Sequence, residues 1–201
     1  FIPGPSGFRT VVTIEQLRTA IDYGAHADSP LELYLPPNTT LRLGGAAINV
    51  GPISVHLASD GEGATLDAGG DTRAFELQPL ANLTLTSLTL ANGRLSGGGG
   101  TLAVASDILV RGSHVSFVNS SCGANGGAIL TMGGTVELND CVFRNSSSQS
   151  FGGVITVAGG RVTLYRTLLV QSATQMRDGG VIYLTSGILT IKGCSIEHSQ
   201  S

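Results

Sequence analysis

Asp60, Glu62, Asp67 and Asp71 are the closest grouping of carboxylates in the chain. Carboxylates that converge can cleave a glycosidic bond by general acid and base catalysis, or hold a calcium ion through their oxygens. Either task requires the groups to meet at one point. Here each acid stands beside Gly or Ala, in Asp60-Gly61-Glu62-Gly63, Asp67-Ala68 and Gly70-Asp71, which is the setting of a turn former. Asp140 and Asp178 belong to different edges of later segments. The sequence therefore offers no catalytic residue and calls for no cofactor; Asp67 and Asp71 are the candidates for a bound cation.

A second recurring chemistry is amide and hydroxyl. Asn119-Ser120, Asn145-Ser146, Gln171-Ser172 and His198-Ser199 repeat one phrase, with Asn92-Gly93 two repeats ahead of Asn145. Amides stacked at a corner can hydrogen-bond the backbone and one another, so Asn92, Asn119, Asn145, Gln171 and His198 read as an inward structural ladder. Asn38, Asn82, Asn119 and Asn145 each begin an N-x-[ST] sequon and are the glycosylation candidates. An inward amide cannot carry a glycan, so at Asn119 and Asn145 the two readings exclude each other. Asn38, beside Pro36-Pro37, is the sequon expected to be exposed.

The elements that must position these groups are short strands arranged as a repeat. Residues 99–105 (GGTLAVA), 126–132 (GGAILTM), 152–158 (GGVITVA) and 179–185 (GGVIYLT) superpose at steps of 27, 26 and 27 residues. A second turn follows each, and then VELNDCVFRNS, VTLYRTLLVQS and LTIKGCSIEHS align with one another. LTLTSLTLANG from Leu83 matches the first of these two repeats earlier, so the pattern covers roughly residues 74–201. Self-similarity at this period is the mark of a solenoid. Period-two runs such as Leu31-x-Leu33-x-Leu35 extend strands toward the N-terminus, though less regularly.

Stacking such coils about 4.8 Å apart places like side chains on like and gives every strand a partner in the next coil. Ile129, Val136, Leu138, Cys141 and Phe143 are then inward, and Ile155, Val162, Leu164, Thr167 and Leu169 occupy the same rows one coil on. Gly-Gly pairs suit corners that need positive φ or close backbone approach. The expected fold is an all-β, right-handed, single-stranded parallel β-helix, the hand following from the crossover preference of parallel strands. A leucine-rich horseshoe lacks its fixed phrase here, and a β-sandwich gives no reason for the self-match. In this register Cys141 and Cys194 share a row, two coils apart, which is too far for a disulfide. Both read as small buried apolar residues. Cys122 lies near a corner.

Before the coils, Thr13-Ile14-Glu15-Gln16 has the form of a capping box, and Ile14, Leu17 and Ile21 share one helical face. A short amphipathic helix over residues 13–23, capping the N-terminal end of the stack, is expected. Residues 1–30 form the lead-in and cap, and residues 31–201 the coils. The chain begins at Phe1 without Met and stops in mid-coil, as a segment of a longer protein would.

Composition narrows function. Charged residues are 12% and hydrophobic residues 41%, with 29 glycines, too apolar for disorder. A net charge of -3 without any Lys/Arg cluster disfavours nucleic acid and anionic membrane surfaces as partners. No apolar run is long enough to cross a membrane as a helix.

The phrases GGAI at Gly126 and GGVI at Gly152 and Gly179 alternate with Phe-Val-Asn at Phe117 and Phe-Arg-Asn at Phe143. Over about half the chain this resembles the paired repeats of chlamydial polymorphic outer membrane proteins, whose phrase has two residues between Phe and Asn where this chain has one. GEGATLDAGGDTRAF from Gly61 resembles the second coil of pectate-lyase-like β-helices. The resemblance implies a β-helix outside the cell or on its surface, with adhesion as its task. The function expected is thus a secreted or surface structural and adhesive module, whose partners are other protein chains or cell-surface glycans, within a filament or complex. The alternative is a polysaccharide lyase, hydrolase or carbohydrate binder whose site lies outside this segment; no Asn-Thr-Asp, Asp-Asp or His-Gly phrase of the polygalacturonase kind occurs within it.

Overall fold

The computed structural model describes residues 7–24, 30–171, 173–174 and 180–197. The chain winds as a parallel β-solenoid of about 7 turns with one helix at its N-terminal end. Among the described residues every strand pairing is parallel, and apart from the lead-in strand each joins one coil to the next. The long wall holds Leu31–Tyr34, Ser54–Ala58, Asn82–Thr86, Leu109–Ser113 and Thr135–Asn139 in order, within a ten-stranded sheet. A seven-stranded wall follows the corner after it, and includes Leu88–Ala91, Ser116–Val118, Val142–Arg144 and Leu168–Val170.

Single residues in the left-handed region make the corners. Ser87, His114, Asp140 and Arg166 turn the chain from the long wall, with φ of 52, 55, 52 and 46°. Asn92, Asn119, Asn145 and Gln171 form the next corner at 55, 55, 51 and 52°. Asn is one of the few side chains that tolerates this region, which accounts for its recurrence at one residue per coil.

The glycine-marked corner has two physical causes. Gly99, Gly126 and Gly152 hold φ of 67, 70 and 60°. The next glycine of each pair is needed for space instead: a Cβ on Gly127 would strike the carbonyl oxygens of Gly153 and Ser147, and one on Gly153 those of Ala173 and Gly180. Gly179 lies outside the described residues.

Inside, the expected rows are present. Ile129, Val136, Leu138, Cys141 and Phe143 are buried, as are Ile155, Val162, Leu164, Thr167 and Leu169. Phe117 and Phe143 stack with centroids 4.4 Å apart and planes at 8°, the direct consequence of in-register coils. Cys141, Thr167 and Cys194 share one row through the pairings Val142↔Leu168 and Leu168↔Ser195, and all three cysteines are free thiols. Deep burial pushes the Cys141 thiol up to about 11. One polar row also runs inside. Thr101 and Ser120 share a hydrogen bond of 2.7 Å, but one coil on Ala128 replaces Thr101, and Ser146 Oγ is buried without a partner.

The helix spans Ile14–Gly24. Thr13 caps it, as Gln16 N donates to Thr13 Oγ1 at 3.2 Å, while the Gln16 side chain reaches one residue further back than a capping box asks, with Val12 N donating to Gln16 Oε1 at 2.9 Å. Leu17, Ala20 and Ile21 are buried against the first coil. Arg18 completes the seal, its Nη2 donating to the carbonyls of Leu43 and Ala46 at 2.8 and 2.6 Å. The lead-in adds a two-residue strand, Arg9–Thr10, beside Leu33 and Tyr34.

Candidate functional site

The corner that carries the recurring amides is an outward ladder, not an inward one. Asn145 Nδ2 donates to Asn119 Oδ1 at 3.2 Å, and Asn119 Nδ2 donates to Asn92 Oδ1 at 3.2 Å. Asn92 Nδ2 ends the chain on Asp67 Oδ1 at 2.8 Å. Amide dipoles thus run head to tail along the axis toward a carboxylate, an arrangement in which each bond polarises the next. Asn119 and Asn145 are exposed; the buried hydroxyls belong to Ser120 and Ser146, one position on. The left-handed corner causes the difference, because it sends the Asn side chain out and the following residue in. Gln171 holds the same corner and donates its backbone N–H to the Glu197 carbonyl, whereas His198 lies outside the described residues.

Because the ladder uses one hydrogen of each amide nitrogen and faces outward, it does not bar access to the sequons at Asn119 and Asn145. Asn38 is exposed with φ of 60°. Asn82 is half-buried on the long wall, with its Oδ1 buried and unpaired. Asp67 accepts from Gly69 N at 3.0 Å as well as from Asn92, so the carboxylate is engaged as a turn and ladder group. Asp71 is exposed, and among the described residues no three His, Cys, Asp or Glu side chains converge as metal ligands.

Two clusters on the outer surface were not foreseen from the sequence. In the first coils Glu32, His56 and Thr86 meet across spacings of 24 and 30 residues. His56 Nε2 shares a hydrogen bond with Thr86 Oγ1 at 3.0 Å, while Glu32 Oε2 lies 2.7 Å from Nδ1 but without a formed hydrogen bond. Phe8 packs edge-on against the imidazole, with centroids 5.1 Å apart. Nearby, Tyr34 Oη donates to Asp60 Oδ2 at 3.0 Å, and desolvation, seconded by that bond, raises the Tyr34 phenol above its ordinary value. A carboxylate, imidazole and hydroxyl in this order are the components of a nucleophile relay. The Ser87 N–H beside the hydroxyl is spent on the Ser113 carbonyl, so no oxyanion donor comes from it.

The second cluster follows the first corner. Arg166 grips Asp140 with both forks, Nε to Oδ1 and Nη2 to Oδ2 at 2.6 Å each, and Nη2 also reaches Asn139 Oδ1 at 3.0 Å. The guanidinium lies 4.1 Å from the Tyr165 ring centroid, and His114 Nε2 is 4.0 Å from Asp140. The guanidinium's hydrogen bonds hold the Asp140 carboxyl below the usual carboxylate range. On the adjacent row Arg111 Nε donates to Glu137 Oε2 at 2.8 Å. Spacings of 26 residues, known from the glycine repeat, were the signal that would have paired Asp140 with Arg166 and Arg111 with Glu137.

One groove of about 440 Å³ runs across three coils, with Arg94, Ser121, Cys122, Ser147 and Gln149 among its lining, and a smaller one of about 290 Å³ lies beside the cap helix, between Arg18, Asp22 and Asn49. Comparison with known proteins returns no matching family model, no matching curated protein and no matching solved structure.

Proposed function

We propose that this chain is a structural and adhesive β-helical module, secreted or displayed at a cell surface, which binds other protein chains or surface glycans as part of a larger assembly. The observation that carries this reading is the constant register of the coils. It converts single residues into outward columns, Asp67-Asn92-Asn119-Asn145 and His114-Asp140-Arg166, each repeating about every 4.8 Å on a stiff support. Such columns suit multivalent recognition, in which several modest contacts engage one extended partner. The acidic and basic groups there are matched to one another.

The test is binding of the folded chain to cell surfaces and immobilised glycans, compared with a variant in which Asn119→Ala, Asn145→Ala and Arg166→Ala remove both columns. Retention of the chain that falls at least about tenfold in the variant supports the reading. Absence of binding by the intact chain, or turnover of uronic polymers by it, overturns the reading.

A further inference from the structure

On the long wall and its corner basic groups are matched by acids, Arg111 by Glu137 and Arg166 by Asp140. Arg94 is not matched in this way. It is exposed at the larger groove, whose lining contains no Asp or Glu. A second guanidinium lies one coil before it. Arg94 N donates to the Thr72 carbonyl as Ser121 N donates to that of Gly93, so Arg73, Arg94, Ser121 and Ser147 form one outward column. The Arg73 side chain is 13% exposed, with Nη2 donating to the Gly98 carbonyl at 3.4 Å. Its Nε is buried without a hydrogen-bond partner, 3.5 Å from Glu76 Oε2. Two guanidiniums a coil apart repel, the more so where one is withdrawn from water, and an anion at Arg94 relieves that repulsion. Ser96, Ser121, Ser147 and Gln149 extend the groove. Among the described residues neither their side chains nor the Arg94 guanidinium has a hydrogen-bond partner within the chain. The groove is thus lined by free donors and lacks an acid to occupy them.

We propose that this groove binds a glycan bearing sulfate esters, with one sulfate at Arg94. The inference rests on the reading of the chain as a binder of surface glycans and names their class: Asn92, Asn119 and Asn145 of the outward ladder stand two residues before Arg94, Ser121 and Ser147 in each coil. Donor geometry selects the anion. A carboxylate is planar, and the fork of one guanidinium satisfies both its oxygens. Arg94, with the Ser96 and Ser121 hydroxyls beside it, offers donors from three directions, which suits a tetrahedral ester with three free oxygens. Charge selects within the tetrahedral esters. Arg73 and Arg94 less Glu76 leave one positive charge, which a sulfate monoester matches and a phosphate monoester, near two negative charges at neutral pH, exceeds. Beyond the sulfate, Ser147 and Gln149 meet sugar hydroxyls at coil steps of about 4.8 Å.

Titration calorimetry of the 201-residue chain with dextran sulfate oligosaccharides, the parent dextran and an oligogalacturonate of matched length tests the proposal. Dextran sulfate is expected to bind, more weakly as salt is raised, with oligogalacturonate at least about tenfold weaker and dextran weaker still. Arg94→Gln is expected to lower the affinity for dextran sulfate at least about tenfold and Ser121→Ala about threefold. Arg161→Gln, which removes the same charge from an exposed position on the long wall, leaves it unchanged. Circular dichroism checks that each variant keeps its strands. Equal binding of dextran and its sulfate, oligogalacturonate or an oligonucleotide bound as tightly as the sulfate, or a folded Arg94→Gln chain that binds as Arg161→Gln does, overturns the inference. Cell-surface retention that still falls when Asn119, Asn145 and Arg166 are replaced by Ala would then leave adhesion standing without it.

Discussion

Gly127→Ala adds one methyl group at a corner where the coils touch through their backbones. The new Cβ would meet the carbonyl oxygens of Gly153 and Ser147 and stand 2.7 Å from the Ser147 carbonyl carbon. None of these atoms belongs to a side chain that can rotate away. Gly127 N donates to the Gly152 carbonyl and Ser147 N to that of Ser120, so relief means parting coils. Overpacking costs ~1–3 kcal/mol, and weakening one ladder hydrogen bond adds ~1 kcal/mol, giving a loss of about 3 kcal/mol. For a chain of this length that corresponds to a fall in Tm of about 6–12 °C. Two controls separate the causes. Gly44→Ala meets nothing within 4 Å but holds φ of 64°, so it reports the left-handed strain alone, ~1–2 kcal/mol. Gly97→Ala has ordinary φ and its nearest neighbour, Leu95 Cδ2, at 3.6 Å, and is expected to be neutral or stabilising by ~0.4–1 kcal/mol. The assay is thermal and denaturant unfolding, with hydrogen exchange to locate where the coils part, because a solenoid can open locally. A Gly127→Ala chain as stable as Gly97→Ala would refute the close-approach argument.

Asp140 is held below its ordinary value in the folded chain, so its contribution to stability is present above the unfolded carboxyl's range and lost as pH falls through the lowered folded value. The stability difference between wild type and Asp140→Asn is therefore expected at neutral pH and to vanish in strong acid; a difference that stays constant across that range would sink the Arg166 pairing as its source. Burial raises the Cys141 thiol to about 11, so near pH 8 it is protonated as well as inaccessible, and alkylation in the native state is expected at Cys194 and not at Cys141. Peptide mass mapping after brief iodoacetamide treatment checks this, and prompt modification of Cys141 would place it outside the core.

How much of this is legible in the sequence varies along the chain. In the later coils one residue type per row suffices: Gly126 and Gly152, or Cys141 and Cys194 about Thr167, fix which residues are neighbours, because a parallel stack has no freedom once its step is known. The capping box at Thr13 likewise announced the helix from local chemistry alone. In the first coils Glu32, His56 and Thr86 are separated by unequal steps: the register pairs Glu32 with His56 and His56 with Thr84, and the imidazole reaches Thr86 two residues beyond its register partner, so no repeat counts them into contact.

The direction of the ladder side chains was the other thing sequence could not decide. Asn119 and Asn145 recur as corner residues whether they face in or out; only the backbone at φ near 50° points the amides to solvent and turns Ser120 and Ser146 inward. Sequence by itself determined the repeat, its register and the rows of the core, because burial and hydrogen bonding demand the same residue types at the same coil position. Tertiary structure alone decided the outward columns and the orphaned Ser146 hydroxyl, because each depends on what the neighbouring coil supplies and not on the local residues.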